Sequence, residues 1–132
     1  MGNSAFWLGQ DAFGNVYRFM MRYIQSYHGT AYKALFTLNP KINMRMAEFA
    51  AVAEQFGHIL NCSLRKSDVM MQYRTNQFFL LLPEITDKDI NSVIDRIKRQ
   101  WEQNEFSSAA EPEYKIESIC AEELDERERR RK

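Results

Sequence analysis

Two short apolar runs on either side of a polar turn constrain the fold of this chain most strongly. The runs are residues 68–73 (Asp-Val-Met-Met-Gln-Tyr) and 77–82 (Gln-Phe-Phe-Leu-Leu-Leu), and Arg74-Thr75-Asn76 lies between them. Apolar runs of this length around a polar turn predict a β-hairpin. Pro83 ends the second strand, because proline has no backbone N–H to donate to a neighbouring strand.

Apolar periodicity predicts three helices around this hairpin. Apolar residues recur at spacings of three and four over residues 13–27, 44–64 and 87–104, which gives each segment one apolar face. Polar residues that can accept a bond from a free amide begin such helices, and glycine often ends them. The predicted caps are Asp11 and Gly29 for the first helix, and Thr86 or Asp87 at the start of the third.

Two further strands are predicted, one on each side of the hairpin in sequence. Residues 31–38 are rich in aromatic and apolar side chains, and residues 114–121 alternate between apolar and polar ones. Residues 105–113 are predicted as a loop. The order helix, strand, helix, hairpin, helix, strand predicts an α+β fold, in which helices cover a central, mostly antiparallel sheet.

The length of 132 residues fits one domain with a single core. We assign residues 1–10 to a tag or linker and residues 11–121 to the domain. Residues 122–132 are almost wholly charged, so we assign them to a charged C-terminal tail, either a solvated helix or a frayed terminus.

Composition and charge exclude several classes of protein. Hydrophobic residues make up 45% of the chain and charged residues 27%, as in a soluble globular protein. The 18 basic residues balance the 18 acidic ones, which argues against a nucleic-acid binder. Cys62 and Cys120 are predicted to be reduced in the cytoplasm, and no Cys/His spacing predicts a metal or cofactor. The longest apolar run, residues 78–82, is far shorter than the ~20 residues of a membrane-spanning helix.

The centre of the chain resembles the GGDEF family of bacterial diguanylate cyclases. That family has the pattern R-x-x-D, an apolar strand, G-G-D-E-F, a second apolar strand and proline. The same spacing is present here as Arg65-Lys66-Ser67-Asp68, then Arg74-Thr75-Asn76-Gln77-Phe78, then Pro83. The family's opening signature survives only in part, in residues 11–19. The resemblance implies a nucleotidyl-cyclase-like fold with a ferredoxin-like core.

The resemblance also implies that the catalytic residues have been lost. In the family, carboxylates at the end of the first strand and in the hairpin hold the divalent metal that the reaction needs. The corresponding positions here are Thr37 and Gln77, and Asn76 replaces the remaining acid of the hairpin. Arg74 and Thr75 replace the two glycines, which let substrate approach closely. We therefore expect no metal site, no catalytic residues and no synthesis of cyclic di-GMP.

One ligand site of the family is retained in sequence. Arg65 and Asp68 match its R-x-x-D inhibitory site, which binds the cyclic di-GMP product, and Arg96 matches the arginine on the following helix. Guanidinium groups pair with phosphates and with the O6/N7 edge of guanine, and a carboxylate accepts from its N–H groups. The alternative is structural: Arg65 and Asp68 could form a surface ion pair, and Arg96 could belong to a solvated helix face.

Three hypotheses about function follow from these residues. The first is a catalytically inactive signalling domain that binds cyclic di-GMP through Arg65, Asp68 and Arg96. The second is a ligand-free interaction or dimerisation module within a larger bacterial signalling protein, contacting a homodimer partner or a neighbouring domain. The third, an enzyme acting on another nucleotide, is disfavoured by the missing carboxylates.

Overall fold

The computed structural model describes residues 6–131 and contains the predicted helices and strands in the predicted order, with one further strand before them and one further helix after them. The bounds of the strands and helices are β1 Phe6–Trp7, α1 Gln10–Tyr27, β2 Thr30–Pro40, α2 Met46–Ser63, β3 Val69–Arg74, β4 Gln77–Pro83, α3 Asp87–Glu102, a 3₁₀ helix Glu105–Ser108, β5 Ala110–Cys120 and α4 Ala121–Arg131.

The strands form one five-stranded sheet in the order β1-β3-β4-β2-β5. β3 and β4 form the predicted hairpin, and β2 pairs antiparallel with both β4 and β5. β1 pairs parallel with β3, with Phe6 opposite Val69 and Trp7 opposite Met70. The α+β fold with a mostly antiparallel central sheet is therefore confirmed.

Helices cover both faces of the sheet and create two apolar layers. The apolar run of β4 supplies both, because successive side chains of a strand point to opposite faces. Phe78, Leu80 and Leu82 pack beneath α2 and α3, whereas Phe79 and Leu81 pack beneath α1 and α4. The first layer also contains Phe36, Leu38, Val52, Phe56, Leu60, Met70, Ile94, Ile97 and Trp101. The second contains Phe13, Ile24, Ala31, Val69, Met71, Ile119 and Leu124.

The boundaries of α1 differ from the prediction. The N-cap is Gly9, which makes no side-chain bond, and Asp11 lies in the first turn, where a negative charge favours the helix dipole. The helix ends at Tyr27, and its C-cap is His28, whose φ of 54° is left-handed, and not Gly29. The left-handed residue that ends a helix is usually glycine, and for this reason the sequence predicted Gly29 and not His28.

The two ends of the chain contribute more to the domain than their assignment as a linker and a solvated tail implied. Residues 6–10 are not a linker, because β1 belongs to the sheet and α1 begins at Gln10. Residues 122–131 are helical, and Leu124 of α4 is buried in the layer beneath α1. The parts of these two assignments that fall on residues 1–5 and on Lys132 lie outside the described residues.

The segment predicted as a loop after α3 is mostly ordered structure. Residues 105–108 form a 3₁₀ helix, which Asn104 caps by accepting a bond from Phe106 N–H. β5 begins at Ala110, four residues before the predicted start of the strand, and Trp101 Nε1 donates to the Ala110 carbonyl at 3.0 Å. Pro112 obscured this start, but β5 is an edge strand, where proline is tolerated. At the other end of α3, the Thr86 cap is confirmed by its bond from Asp89 N–H.

Candidate functional site

The tip of the β3–β4 hairpin is tied to the end of β2. The turn consists of Thr75 and Asn76, and the Asn76 carbonyl accepts a bond from Leu38 N–H at 2.8 Å. The Asn76 side-chain amide donates to the Leu38 carbonyl at 3.2 Å. These bonds hold the altered hairpin signature against the strand that carries Thr37.

Thr37 and Gln77 are direct neighbours, as the resemblance implied for the two metal positions. They pair in the β2–β4 register, and Gln77 Nε2 donates to Thr37 Oγ1 at 3.3 Å. A divalent cation at this point would require anionic oxygen ligands. The pair offers a hydroxyl and an amide, and the amide directs its N–H at the other ligand position. These residues do not fit a divalent metal.

Among the side chains that the structure describes, no group of three or more His, Cys, Asp or Glu residues has the geometry of a metal site. The other signature positions also have ordinary structural roles. Arg74 lies 5.4 Å from the ring centroid of Tyr73. Phe78 is fully buried, where its ring meets those of Phe56 and Trp7. The signature positions of the hairpin therefore carry no anionic side chain, and Arg74 adds a positive charge.

Arg65 and Asp68 form a closely bonded pair at the corner between α2 and β3. Arg65 Nη2 lies 2.7 Å from Asp68 Oδ1, and the Arg65 backbone N–H donates to Asp68 Oδ2 at 2.7 Å. The corner is closed by Asp68 N–H, which donates to the Arg65 carbonyl at 3.0 Å. The Asp68 side chain is 0% exposed, so its oxygens are committed to the corner. The Arg65 side chain remains 38% exposed.

A second contact holds Arg65 at the end of the sheet. Its Nη2 also donates to the carbonyl of Pro83, the last residue of β4, at 2.6 Å. The guanidinium is therefore held in one orientation by a carboxylate and a carbonyl. A fixed, half-exposed guanidinium can bind a phosphate with little further loss of side-chain entropy.

Arg96 reaches the same end of α2 from the neighbouring helix. Its Nη1 donates to the carbonyl of Ser63, the last residue of α2, at 3.2 Å. Arg96 also lines a shallow surface depression with Arg99, Gln100 and Gln103. The structure thus brings Arg65 and Asp68 together, and it places Arg96 at the helix end that precedes Arg65.

A cleft beside this corner was not anticipated from the sequence. It has a volume of about 320 Å³ and lies between the C-terminal half of α1 and the ends of β2 and β4. The signal was present as Phe19, Tyr23 and Tyr27, aromatic residues four positions apart that lie off the buried stripe of α1. The cleft is lined by Phe19, Met20, Tyr23, Ile24, Gly29, Thr30, Ser67, Pro83 and Glu84.

Comparisons with known proteins agree with this fold. The family model "Diguanylate cyclase, GGDEF domain" matches residues 50–121, more than half of the chain. The chain belongs to the GGDEF family. No curated protein matches it at a significant level.

Solved structures of GGDEF domains resemble this chain closely in fold and weakly in sequence. A diguanylate cyclase protein from Thermotoga maritima is 15% identical with a TM-score of 0.70, over 86% of this chain and 82% of that one. The GGDEF domain of DgcB from Caulobacter crescentus, solved with cyclic di-GMP, is 10% identical with a TM-score of 0.70, over 92% and 80%. The GGDEF domain of FimX from Pseudomonas aeruginosa is 11% identical with a TM-score of 0.68, over 94% and 85%.

Within the described residues, no helix combines the length and the apolar character that crossing a bilayer requires.

Proposed function

We propose that this GGDEF domain does not synthesise cyclic di-GMP and instead binds it as a signal. One observation carries the first half of the proposal: a hydroxyl and an amide, Thr37 and Gln77, bond to each other where the family places metal-binding carboxylates. Joining two GTP molecules needs a divalent metal to neutralise the phosphates and activate the attacking 3′-hydroxyl. Two neutral side chains supply no anionic ligand for it.

The test of inactivity is direct. Purified protein is incubated with GTP and either Mg²⁺ or Mn²⁺, and the nucleotides are separated by chromatography, with an active GGDEF cyclase as the positive control. We expect the GTP to remain unconverted. Formation of cyclic di-GMP above the rate of a protein-free sample would overturn this half of the proposal.

The ligand-binding half rests on Arg65 and Arg96. Both guanidinium groups lie by the C-terminal end of α2, and Arg65 is fixed by Asp68 and by the Pro83 carbonyl. Two such groups can engage the two phosphates of a cyclic dinucleotide. The carboxylate of Asp68 is used within the corner, so its role in this proposal is to position Arg65. The structural neighbour DgcB was solved with cyclic di-GMP, which supports testing this ligand first.

Isothermal titration with cyclic di-GMP tests the ligand site. We expect saturable heat with the unmodified protein and roughly a tenfold loss of affinity for Arg65→Ala and for Arg96→Ala, because each removes a charge-assisted contact. Arg45→Ala is the matched control, since Arg45 is exposed at the opposite end of α2. Absence of heat at high ligand concentration, or equal affinities for all three variants, would reject the site.

A second candidate function is a ligand-free interaction or dimerisation module. It is favoured by Ile42 and Met46, which are 56% and 88% exposed beside the start of α2. Large apolar side chains that remain exposed next to one another often belong to a contact surface. Light scattering with and without cyclic di-GMP distinguishes the two candidates. A constant dimer that Met46→Glu dissociates, and that the control Asn91→Glu on α3 leaves intact, would favour this module.

A further inference from the structure

The apolar cleft beside α1 adjoins the corner that holds Arg65, because two of its lining residues belong to that corner or contact it. Ser67, between Arg65 and Asp68 in the chain, lines the cleft, and so does Pro83. The carbonyl of Pro83 accepts the 2.6 Å bond from the Arg65 guanidinium. Arg65 and the cleft therefore have Pro83 as a common neighbour.

The cleft offers flat aromatic surface to solvent. The side chains of Phe19 and Tyr23 line it and are 66% and 39% exposed, and the Tyr23 ring lies 4.9 Å from that of Tyr27. Exposed rings beside a fixed arginine are the combination on which nucleic acid bases stack while their phosphates are held. A volume of about 320 Å³ is at the lower end of the range for small-ligand sites and is enough for a base.

An acidic side chain stands at the edge of the same cleft. Glu84 lines it, is exposed to solvent, and follows Pro83 directly. A carboxylate accepts hydrogen bonds and donates none, so it pairs with the N1–H and N2–H groups of guanine. Adenine presents an acceptor at N1, which a carboxylate repels.

The backbone beside the cleft is unusual as well. His28 and Glu84 are the non-glycine residues with positive φ among residues 6–131, at 54° and 51°. The two are adjacent to Gly29 and Pro83 of the cleft, and Glu84 N–H donates to the Thr30 carbonyl at 2.8 Å. The conformation of His28 ends α1, whereas a positive φ at a non-glycine residue such as Glu84 is enriched at active sites and ligand clamps.

We propose that this cleft is a guanine-binding subsite, in which Phe19 and Tyr23 stack on the base, Glu84 accepts from its N1–H and N2–H, and Arg65 holds the adjoining phosphate. This proposal rests on cyclic di-GMP binding as proposed above. It adds the source of base specificity, which Asp68 cannot supply because its carboxylate is buried and bonded to Arg65.

Titration calorimetry with cyclic di-GMP and cyclic di-AMP tests the subsite on the complete chain. The variants are Phe19→Ala, Glu84→Gln and Arg65→Ala, and the control is Tyr73→Ala, whose ring is 43% exposed on the hairpin. For Phe19→Ala we expect roughly a tenfold loss of affinity for cyclic di-GMP, because stacking on an aromatic ring contributes on that order. The control retains its affinity.

Specificity gives the second readout. The unmodified protein should prefer cyclic di-GMP over cyclic di-AMP by roughly tenfold, and Glu84→Gln should abolish most of that preference. Circular dichroism of each variant verifies that it is folded.

The outcomes separate the two proposals. If the protein binds cyclic di-GMP and only Arg65→Ala weakens it, the receptor proposal stands and the guanine subsite is wrong. If Phe19→Ala and Glu84→Gln weaken binding but Arg65→Ala does not, the cleft binds guanine and the role of Arg65 is wrong. If the unmodified protein binds neither dinucleotide, both proposals are rejected.

Discussion

Asp68 shows how one residue can match a ligand-binding motif and still serve mainly to stabilise the fold. Its carboxylate is buried and accepts bonds from the backbone and the guanidinium of Arg65. The sequence left two alternatives for the Arg65–Asp68 pair, a ligand site and a surface ion pair. The two side chains differ in exposure: Asp68 is fully buried, whereas Arg65 is 38% exposed, as the proposed ligand site requires.

Replacement of Asp68 should therefore lower stability strongly. We expect Asp68→Ala to reduce the free energy of unfolding by about 2–4 kcal/mol, because the backbone N–H and the guanidinium of Arg65 lose their acceptor. Asp68→Asn should lose less, since an amide oxygen still accepts one bond. Urea unfolding followed by tryptophan fluorescence measures the change. Asp95→Asn, at an exposed position of α3, is the control and should leave the midpoint unchanged.

The two helical glycines should respond oppositely to the same substitution. A Cβ at Gly57 of α2 would lie 2.6 Å from Trp7 Cη2 and 2.9 Å from Phe78 Cε2, so packed rings would have to move. A Cβ at Gly14 of α1 would meet only the flexible side chain of Arg18, at 3.5 Å or more.

We expect Gly14→Ala to stabilise the protein by about 0.5–1 kcal/mol through helix propensity. Gly57→Ala should destabilise it by about 1–3 kcal/mol, because overpacking outweighs that gain. Thermal unfolding of both variants checks the pair. Stabilisation by Gly57→Ala would mean that Trp7 does not pack against α2.

At the scale of elements, the hairpin was the most predictable part of the chain. Its apolar runs and the proline that ends them are local signals, and both strands form within one residue of the prediction. The contacts of its tip were not predictable, because the two hydrogen bonds between Asn76 and Leu38 join residues 38 positions apart. The same holds for the start of β5, which is decided by pairing with β2 from Pro40 onward.

α4 is an element that composition alone concealed. Nine of the 11 residues of α4 are charged, but Leu124 is buried beneath α1. We expect Leu124→Ala to reduce the free energy of unfolding by about 2 kcal/mol, because it leaves a cavity between the helices and the sheet. Arg130→Ala is the control and should change it by less than about 0.5 kcal/mol, since the pair with Glu126 is exposed. Equal effects of the two variants would show that α4 does not pack on the domain.

At the scale of the whole molecule, one sheet joins two apolar layers. Neither layer is complete without the sheet, because β4 contributes alternate residues to both. A chain of this size with a shared sheet should unfold in a single transition.

The two layers can be followed separately in one experiment. Trp7 and Trp101 both pack in the layer beneath α2 and α3, so their fluorescence reports on that side. Far-ultraviolet circular dichroism reports on all the helices, including α1 and α4. We expect the two signals to give coincident urea transitions. Loss of helical signal before the fluorescence change would indicate that α1 and α4 unfold as a separate unit.

The sequence by itself determined the order of elements, the fold class, the family resemblance and the absence of charge at Thr37 and Gln77. These features depend on local periodicity, on turn residues and on the identity of single side chains, which need no knowledge of distant contacts. Only the tertiary structure decided that Gln77 donates to Thr37 and that Asp68 is buried and bonded to Arg65. It also decided that β1 and α4 belong to the domain. It also placed Phe19, Tyr23 and Glu84 around one cleft beside Arg65. Burial and hydrogen bonding between segments remote in sequence fix these features, and no local pattern of residues records them.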